Sequence, residues 1–374
     1  MDLMFFIAPA AIGGISAALA ALISITDKVV NNYGDIKIDI NGGKKDVVVK
    51  GGQPMLFGLS EHGIFIPSAC GGRGSCGACK VKVSSDVGPH MPTELPYLTD
   101  EEIRDNVRLS CQIKLKEDLS IQIPEELFYV QEYNATIEKI VDVTHDIKEV
   151  LCKLPEGKEV TFVSGQYGQF EAPRYDKVKE PTMRAYSLSS PPSDRTHMEF
   201  LIRLVPGGIV TGYVHNHLKE GQKIRIVGPF GDFHVRDTDA QMICVAGGSG
   251  MAPFKSIFQD MIDKGTLNDR EIWYFFGARS KRDVFYLDWL YKLDEENENF
   301  HFIPALSEPQ PEDNWEGPTG LITEVLDSYL KNTITQGKAK EGYLCGSPGM
   351  LDACMKVMSE NDMKAEDIFF DKFA

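Results

Sequence analysis

Cys70, Cys76, Cys79 and Cys111 are separated by five, two and 31 residues. The first three share the loop CGGRGSCGAC, in which four of ten residues are glycine. Four thiolates can hold zinc or an iron–sulfur cluster. Structural zinc sites use two knuckles of closely spaced ligands. Here three ligands lie on one loop and the fourth comes alone from a distant segment, which is the layout of a [2Fe–2S] centre. Zinc remains the alternative. A cluster held by four thiolates is negatively charged and is stabilised by backbone N–H groups turned toward it. Close approach of backbone favours residues without a side chain, and Gly71, Gly72, Gly74 and Gly77 supply it.

Three further stretches have chemistry to offer. RAYSLSSPP, from Arg184, offers a cation, a flat ring and a small hydroxyl on one strand. Alternation puts Arg184 and Tyr186 on one face. These groups suit a flavin's pyrophosphate, its ring and its N5 edge, although the stretch alone fits any strand. PGGIVTGYVHNHL turns from glycines into a helix, and helix N-termini bind phosphate through free N–H groups; His215 and His217, two apart, make a poor metal pair. GGSGMAP, residues 247–253, joins an apolar strand to an apolar-faced helix, but it is not the G-x-G-x-x-G fingerprint and a plain tight turn would also read this way.

The elements that must position these residues fall into three blocks. DIKIDI and KDVVVK, joined by NGGK, read as a hairpin, and QPMLFGLSEHG as a helix stopped by Gly63. The cysteine loop comes next, followed by KVKVS, RLSCQIKL and LSIQI. From Tyr133 to Phe233 short strands broken by glycine and proline predict an antiparallel barrel. From Ala240 strands alternate with helices, which predicts a doubly wound parallel sheet. The boundaries expected are 1–26 for a membrane helix, 27–34 for a linker, 35–130 for the iron–sulfur domain, 131–236 for the barrel and 237–374 for the dinucleotide domain.

The chain has 374 residues and a net charge of −16, which argues against nucleic acid as a partner. Leu3 to Ile25 is a 23-residue run without a charge. At ~1.5 Å per residue it is long enough to cross a ~30 Å hydrocarbon core. A signal peptide would want a basic start, and only Asp2 precedes the run. Lys28 follows it, so the positive-inside rule puts the large C-terminal part in the cytoplasm of a single-pass inner-membrane protein. In that reducing compartment the eight cysteines are thiols or metal ligands; Cys152, Cys244 and Cys354 read as small buried hydrophobes.

The cysteine loop resembles that of β-grasp ferredoxins, with the longer five-residue spacing of the adrenodoxin-like ones. RAYS resembles the R-x-Y-S motif of the ferredoxin–NADP reductase superfamily. That resemblance implies that Arg184 contacts FAD phosphate, Tyr186 packs on the ring and Ser187 hydrogen-bonds N5. It makes Gly208, Ile209, Val210 and Thr211 the second phosphate-binding segment. It makes Gly247, Gly248, Gly250 and Pro253 the loop that holds the nicotinamide dinucleotide. CGSPGM matches the superfamily's C-G-x-P-x-M, which puts Cys345 by the nicotinamide with Gly346 and Met350 around it. Phe373 sits where the superfamily's C-terminal aromatic covers the flavin, with core packing as the plainer reading.

Arg279, Lys281 and Arg282, taken alone, favour NADPH. GARS, PTEL, RLSCQ, GPFG and ALSEPQPEDNWEGPTG resemble the F subunits of sodium-translocating NADH:quinone oxidoreductases. That resemblance favours NADH, with Arg279 at the cofactor. It implies an oxidoreductase that passes electrons from NADH through FAD and a [2Fe–2S] cluster to membrane subunits of a redox complex, with quinone as final acceptor. Only ten residues separate QFEAP from RAYS, where that family is much longer, which bears on partner contacts. Two other readings are the reductase component of an oxygenase and a non-enzymatic metal-binding module.

Overall fold

The computed structural model describes residues 13–24 and 33–372. Helix α1, residues 13–24, is the described part of the apolar N-terminal run, and the rest of that run lies outside the described residues. Among the described residues no helix is long and apolar enough to cross a membrane. The chain forms two compact units, Met1–Ser68 with Gly72–Tyr129, and Ala69–Gly71 with Val130–Ala374.

In the first unit β1 (Asp35–Ile40) and β2 (Lys45–Lys50) form the expected hairpin. They join β3 (Lys80–Val83), β4 (Val107–Leu109) and β5 (Leu119–Gln122) in a mixed sheet of order β2-β1-β5-β3-β4. Alternating Ile36, Ile38 and Ile40 face the core beneath α2 (Met55–Glu61), which buries Met55, Leu56 and Leu59. Gly63, at φ 73°, takes the left-handed conformation that ends that helical segment. The short α3 (Asp100–Arg104) starts at a Thr99–Glu102 capping box.

The second unit has two parts. The first is a six-stranded antiparallel sheet: β6 (Gln131–Asp142), β7 (Ile147–Lys153), β8 (Tyr167–Ala172), β9 (Thr182–Ser187), β10 (His197–Arg203) and β11 (Lys223–Phe230), in the order β10-β7-β6-β11-β8-β9. A bridge between Leu188 and Phe200 joins its edges and closes the barrel. Phe170, Phe200, Ile226 and Val150 fill the interior, and α4 (Ile209–Asn216) packs Val210, Tyr213 and Val214 against it.

The second part is a parallel sheet: β12 (Gln241–Gly247), β13 (Ile272–Ala278), β14 (Phe300–Leu306), β15 (Lys340–Gly346) and β16 (Ile368–Lys372), ordered β14-β13-β12-β15-β16. Helices α5 (Met251–Lys264) and α6 (Leu287–Glu296) cover one face; α7 (Ile322–Asn332) and α8 (Pro348–Glu360) cover the other. The strand order reverses between β12 and β15, which run parallel. In such sheets ligands bind in the crevice at the carboxyl ends of the strands flanking that point.

Candidate functional site

The cysteine loop is built from left-handed glycines. Gly71, Gly72, Gly74 and Gly77 have φ between 67° and 85°, which side chains rarely adopt. Gly72 donates its N–H to Ser68 Oγ at 2.8 Å. A Cβ on Gly77 would lie 2.7 Å from Tyr97, so that ring closes directly over the loop. Cys70, Cys79 and Cys111 are buried and Cys76 is half-buried. Among the described residues no three histidine, cysteine or acidic side chains gather as they would around a single metal ion. A two-iron cluster divides its four thiolates between two irons.

PTEL and RLSCQ acquire a structural meaning in the same unit. Glu94 and Arg108 are both buried and form an ion pair at 2.7 Å. Arg108 also donates to the carbonyls of Gly88 and Pro89, while Glu94 accepts from the N–H groups of Met91 and Leu109. Burial pushes the Glu94 carboxyl up, and Arg108 with those N–H groups more than reverses it. The pair staples the segment before Tyr97 to β4, two residues short of Cys111.

In the second unit β9 delivers the RAYS side chains. Arg184 and Tyr186 are half-buried, whereas Ala185 and Ser187 are buried, as alternation requires. Tyr186 packs edge-on against Phe170, ring centroids 6.3 Å apart. A cavity of about 920 Å³ opens at the N-terminus of α4, lined by Tyr175, Arg203, Gly208, Ile209 and Gly212 among others, and by no residue of β9. Gly208 lines it with its backbone, next to the free N–H groups of the helix start. Thr211 is placed differently from expectation. Its hydroxyl is turned back on Val205, accepting from the N–H at 3.2 Å, so it braces the glycine turn. His215 bonds the Ile202 carbonyl and His217 pairs with Asp176, so the two histidines do not converge.

The crevice of the parallel sheet is tight. A Cβ on Gly250 would lie 2.2 Å from the Cys345 carbonyl oxygen, and one on Gly346 would lie 2.4 Å from Met350 Cε. The two glycine segments touch backbone to backbone, with Met350 filling the space between Gly247 and Gly346. Pro253 sits in the first turn of α5, where a missing N–H costs nothing.

Cys345 ends β15 and Ser187 ends β9. Between them comes Asp371, which the parallel register of β15 and β16 sets beside Cys345. Ser187 Oγ lies 3.5 Å from Asp371 Oδ2. Burial pushes the Asp371 carboxyl up to about 7, against a smaller opposing pull from Ser187. Burial, with Asp371 beside it, also pushes the Cys345 thiol far up, so it is a neutral thiol. Cys152, Cys244 and Cys354 are likewise buried with raised pKa values.

Three family models match the chain: a 2Fe-2S iron-sulfur cluster binding domain over residues 38–116, an oxidoreductase FAD-binding domain over 134–235 and an oxidoreductase NAD-binding domain over 244–356. The F subunit of the Na(+)-translocating NADH-quinone reductase from Marinomonas sp. is 39% identical, over 95% of each chain. The corresponding protein of Mannheimia succiniciproducens is 38% identical over the whole of both. The chain belongs to this family of reductase F subunits. Among solved structures an Amycolatopsis cytochrome P450 reductase is 26% identical, with a TM-score of 0.71 over 90% of this chain and 98% of its own. A ferredoxin reductase of carbazole 1,9a-dioxygenase is 25% identical, with a TM-score of 0.67 over 91% and 99%.

The cofactors of this F-type chain are therefore a [2Fe–2S] cluster, FAD and NADH. The described residues fit the dinucleotide with a crevice that only glycine backbone permits, and the Gly208 segment lines a cavity at a helix N-terminus that Arg184, Tyr186 and Ser187 do not line. Asp371 was missed by sequence reasoning. Its one signal was an acid in the apolar tail DIFFDKFA, close to Phe373, which itself lies outside the described residues. Arg279 is exposed, at the end of β13. Next to it Lys281 is tied to the PEDNW turn: its N–H donates to the Asp313 carboxylate and its Nζ to the Asp313 carbonyl, both at 3.1 Å.

Proposed function

We propose that this chain brings electrons from NADH into a multi-subunit membrane redox complex, and that the apolar N-terminal run anchors it as a single-pass protein with its soluble domains in the cytoplasm. FAD, when bound, accepts a hydride from NADH and releases electrons singly to the [2Fe–2S] cluster. The protein's own residues bind, orient and exclude water. Arg184, with the amides around Gly208 and Val210, holds the flavin phosphates, while Thr211 braces the turn that presents them. Tyr186 packs on the flavin ring, and Phe373, outside the described residues, is the C-terminal aromatic that the family likeness offers as a cover for the flavin. Gly247, Gly248, Gly250 and Pro253 shape the seat for the dinucleotide pyrophosphate; Arg279 lies at its ribose end. Cys345, with Gly346 and Met350, orients the nicotinamide as a neutral thiol. Ser187 Oγ and the Asp371 carboxyl hold a proton at the meeting point of β9 and β15. Asp313 holds Lys281 down, which supports NADH over NADPH. Cys70, Cys76, Cys79 and Cys111 ligate the cluster.

The observation that carries this reading is the convergence of Ser187, Cys345 and Asp371 at the glycine crevice, in a chain that also bears the four-cysteine loop. The test is the visible spectrum of the purified full chain with and without NADH, followed by mild detergent extraction from membranes. Flavin and cluster absorbance bleached by NADH, with other membrane subunits co-purifying, supports it. A coloured protein indifferent to NADH refutes the electron path, and one that stays in the supernatant without detergent refutes the anchor. A second reading, the reductase component of an oxygenase, draws on the likeness to the two solved reductases. Co-purification with a soluble oxygenase would favour it.

A further inference from the structure

Helix α5 starts at the dinucleotide loop, and one turn later polar side chains join it to the barrel, beside an apolar contact of Phe254 with Phe233, ring centroids 6.0 Å apart. Lys255 Nζ pairs with Glu149 of β7 at 3.0 Å and with Glu199 of β10. Ser256 donates to the Ser190 carbonyl at 2.7 Å, and Asp260 accepts from Ser164 at 2.9 Å. The apolar face of α5, with Phe254, Ile257, Phe258 and Met261, is buried in a core that its own sheet shares with Ile147, Leu201 and Phe233 of the barrel. Two further contacts converge on the lysine. Ser189, two residues beyond Ser187, donates to Glu199 at 2.7 Å. Tyr286 donates its hydroxyl to Glu149, and Lys255 Nζ lies 4.9 Å from the centre of the Tyr286 ring. Tyr286 has φ 59°, a left-handed conformation that persists in a non-glycine residue only when its surroundings impose it.

One cation therefore faces two carboxylates, all three largely withdrawn from solvent. Buried carboxylates without a counter-charge repel each other and the low-dielectric interior. Lys255 makes their approach possible. The chain Ser187–Ser189–Glu199–Lys255–Gly250 links the end of the flavin strand to the start of the dinucleotide helix within a few residues on either side.

We propose that Lys255 is a positioning residue for hydride transfer: the Glu149–Lys255–Glu199 network latches the dinucleotide domain to the flavin barrel and thereby sets the approach of the nicotinamide to the flavin. The inference rests on the function proposed above. It does not place Lys255 in contact with either cofactor.

The experiment compares the full chain with Lys255→Met and with the triple variant Lys255→Met/Glu149→Gln/Glu199→Gln, in which shape is kept and charge removed. The readouts are flavin and cluster content from the visible spectrum, and the single-turnover rate of flavin bleaching by saturating NADH. The latch predicts that Lys255→Met keeps its cofactors but bleaches ~10-fold or more slowly, since a misplacement of about 1 Å can cost ~100-fold. It also predicts that the triple variant recovers to about a third of the wild-type rate or better. A Lys255→Met rate within twofold of wild type overturns the inference, as does a triple variant no faster than Lys255→Met. Were Lys255→Met to fail to fold, Glu199→Gln, which removes one arm of the network, decides in its place: cofactors retained and flavin bleaching several-fold slower supports the latch, a rate within twofold of wild type overturns it. A wild-type protein that NADH does not bleach overturns the functional reading itself, a distinguishable outcome.

Discussion

Asp371→Asn should make the second unit more stable at neutral pH and leave it nearly unchanged in acid. Burial in the folded protein raises this carboxyl to about 7, whereas an exposed aspartate titrates near 3.9. Between those two values the folded protein keeps a proton that the unfolded chain has lost. The unfolding free energy contributed by this group therefore falls as pH rises through that window and levels off above it. About three units at 1.36 kcal/mol each give about 4 kcal/mol. That is an upper bound, because the side chain is only partly withdrawn from solvent and water screens the exposed part. Asparagine keeps the shape and cannot ionise. The advantage of the variant over wild type should then grow from near zero around pH 4 to its full value by pH 8. For a domain of this size that corresponds to a melting-point difference of up to ~8–16 °C. The assay is thermal unfolding of both proteins from pH 4.5 to 8.5, followed by flavin fluorescence. A melting-point difference that stays constant across the range would refute the claim that the fold holds this carboxyl neutral.

Ser187→Ala removes the hydroxyl that pulls the Asp371 carboxyl down, so the pH at which the melting difference between Ser187→Ala and Ser187→Ala/Asp371→Asn levels off should lie above that for the Asp371→Asn and wild-type pair; a plateau reached at lower pH contradicts the assignment. Gly250→Ala drives a Cβ to within 2.2 Å of the Cys345 carbonyl. A backbone displacement worth only about 1.4 kcal/mol would raise the NADH KM ~10-fold, with flavin content unchanged, and steady-state kinetics with an artificial acceptor reads it. Glu94→Gln leaves Arg108 buried without its counter-charge and should destabilise the first unit by about 3–5 kcal/mol, seen as earlier thermal loss of cluster absorbance.

What the sequence made legible was whatever depends on short spacing. The cysteine loop, RAYS and GGSGMAP each do their work within ten residues, because thiolates, strand alternation and helix N-termini are local devices. The three blocks were readable because the period of the apolar residues changes from strand-like to alternating at Ala240. What stayed hidden is assembled by tertiary pairing. Asp371 reaches Cys345 only through the parallel register of β15 and β16, and Ser187 reaches it across 184 positions of chain. Lys255 carries no signal in the sequence, since nothing in KSIFQD announces a barrel against that face. A small hydroxyl at a helix start can brace its own turn as well as meet a ligand, and Thr211 does the first by accepting from the Val205 N–H. PEDNW stood out as a motif without a chemical task, and PTEL and RLSCQ, apart from Cys111, only as marks of likeness. Glu94, Arg108 and Asp313 have structural tasks instead.

Two of the buried ion networks, Glu94–Arg108 and Glu149–Lys255–Glu199, differ in charge balance, and the difference fits their different reach. Glu94 and Arg108 are one acid and one base 14 residues apart, with the remaining hydrogen-bonding capacity of both taken up by backbone. Such a pair is neutral as a whole and its partners are local, so it can fix a loop whatever the rest of the chain is doing. Glu149, Glu199 and Lys255 come from two parts of the second unit and carry one more negative than positive charge. That surplus is tolerable only while Lys255 stands between the carboxylates and the Tyr286 and Ser189 hydroxyls donate to them. If α5 withdraws from the barrel, the carboxylates regain water and the penalty of holding them together disappears. The balanced pair thus resists opening, whereas the unbalanced trio makes docking depend on every donor being in place. That is the behaviour required of a junction across which a nicotinamide and a flavin must meet in one geometry.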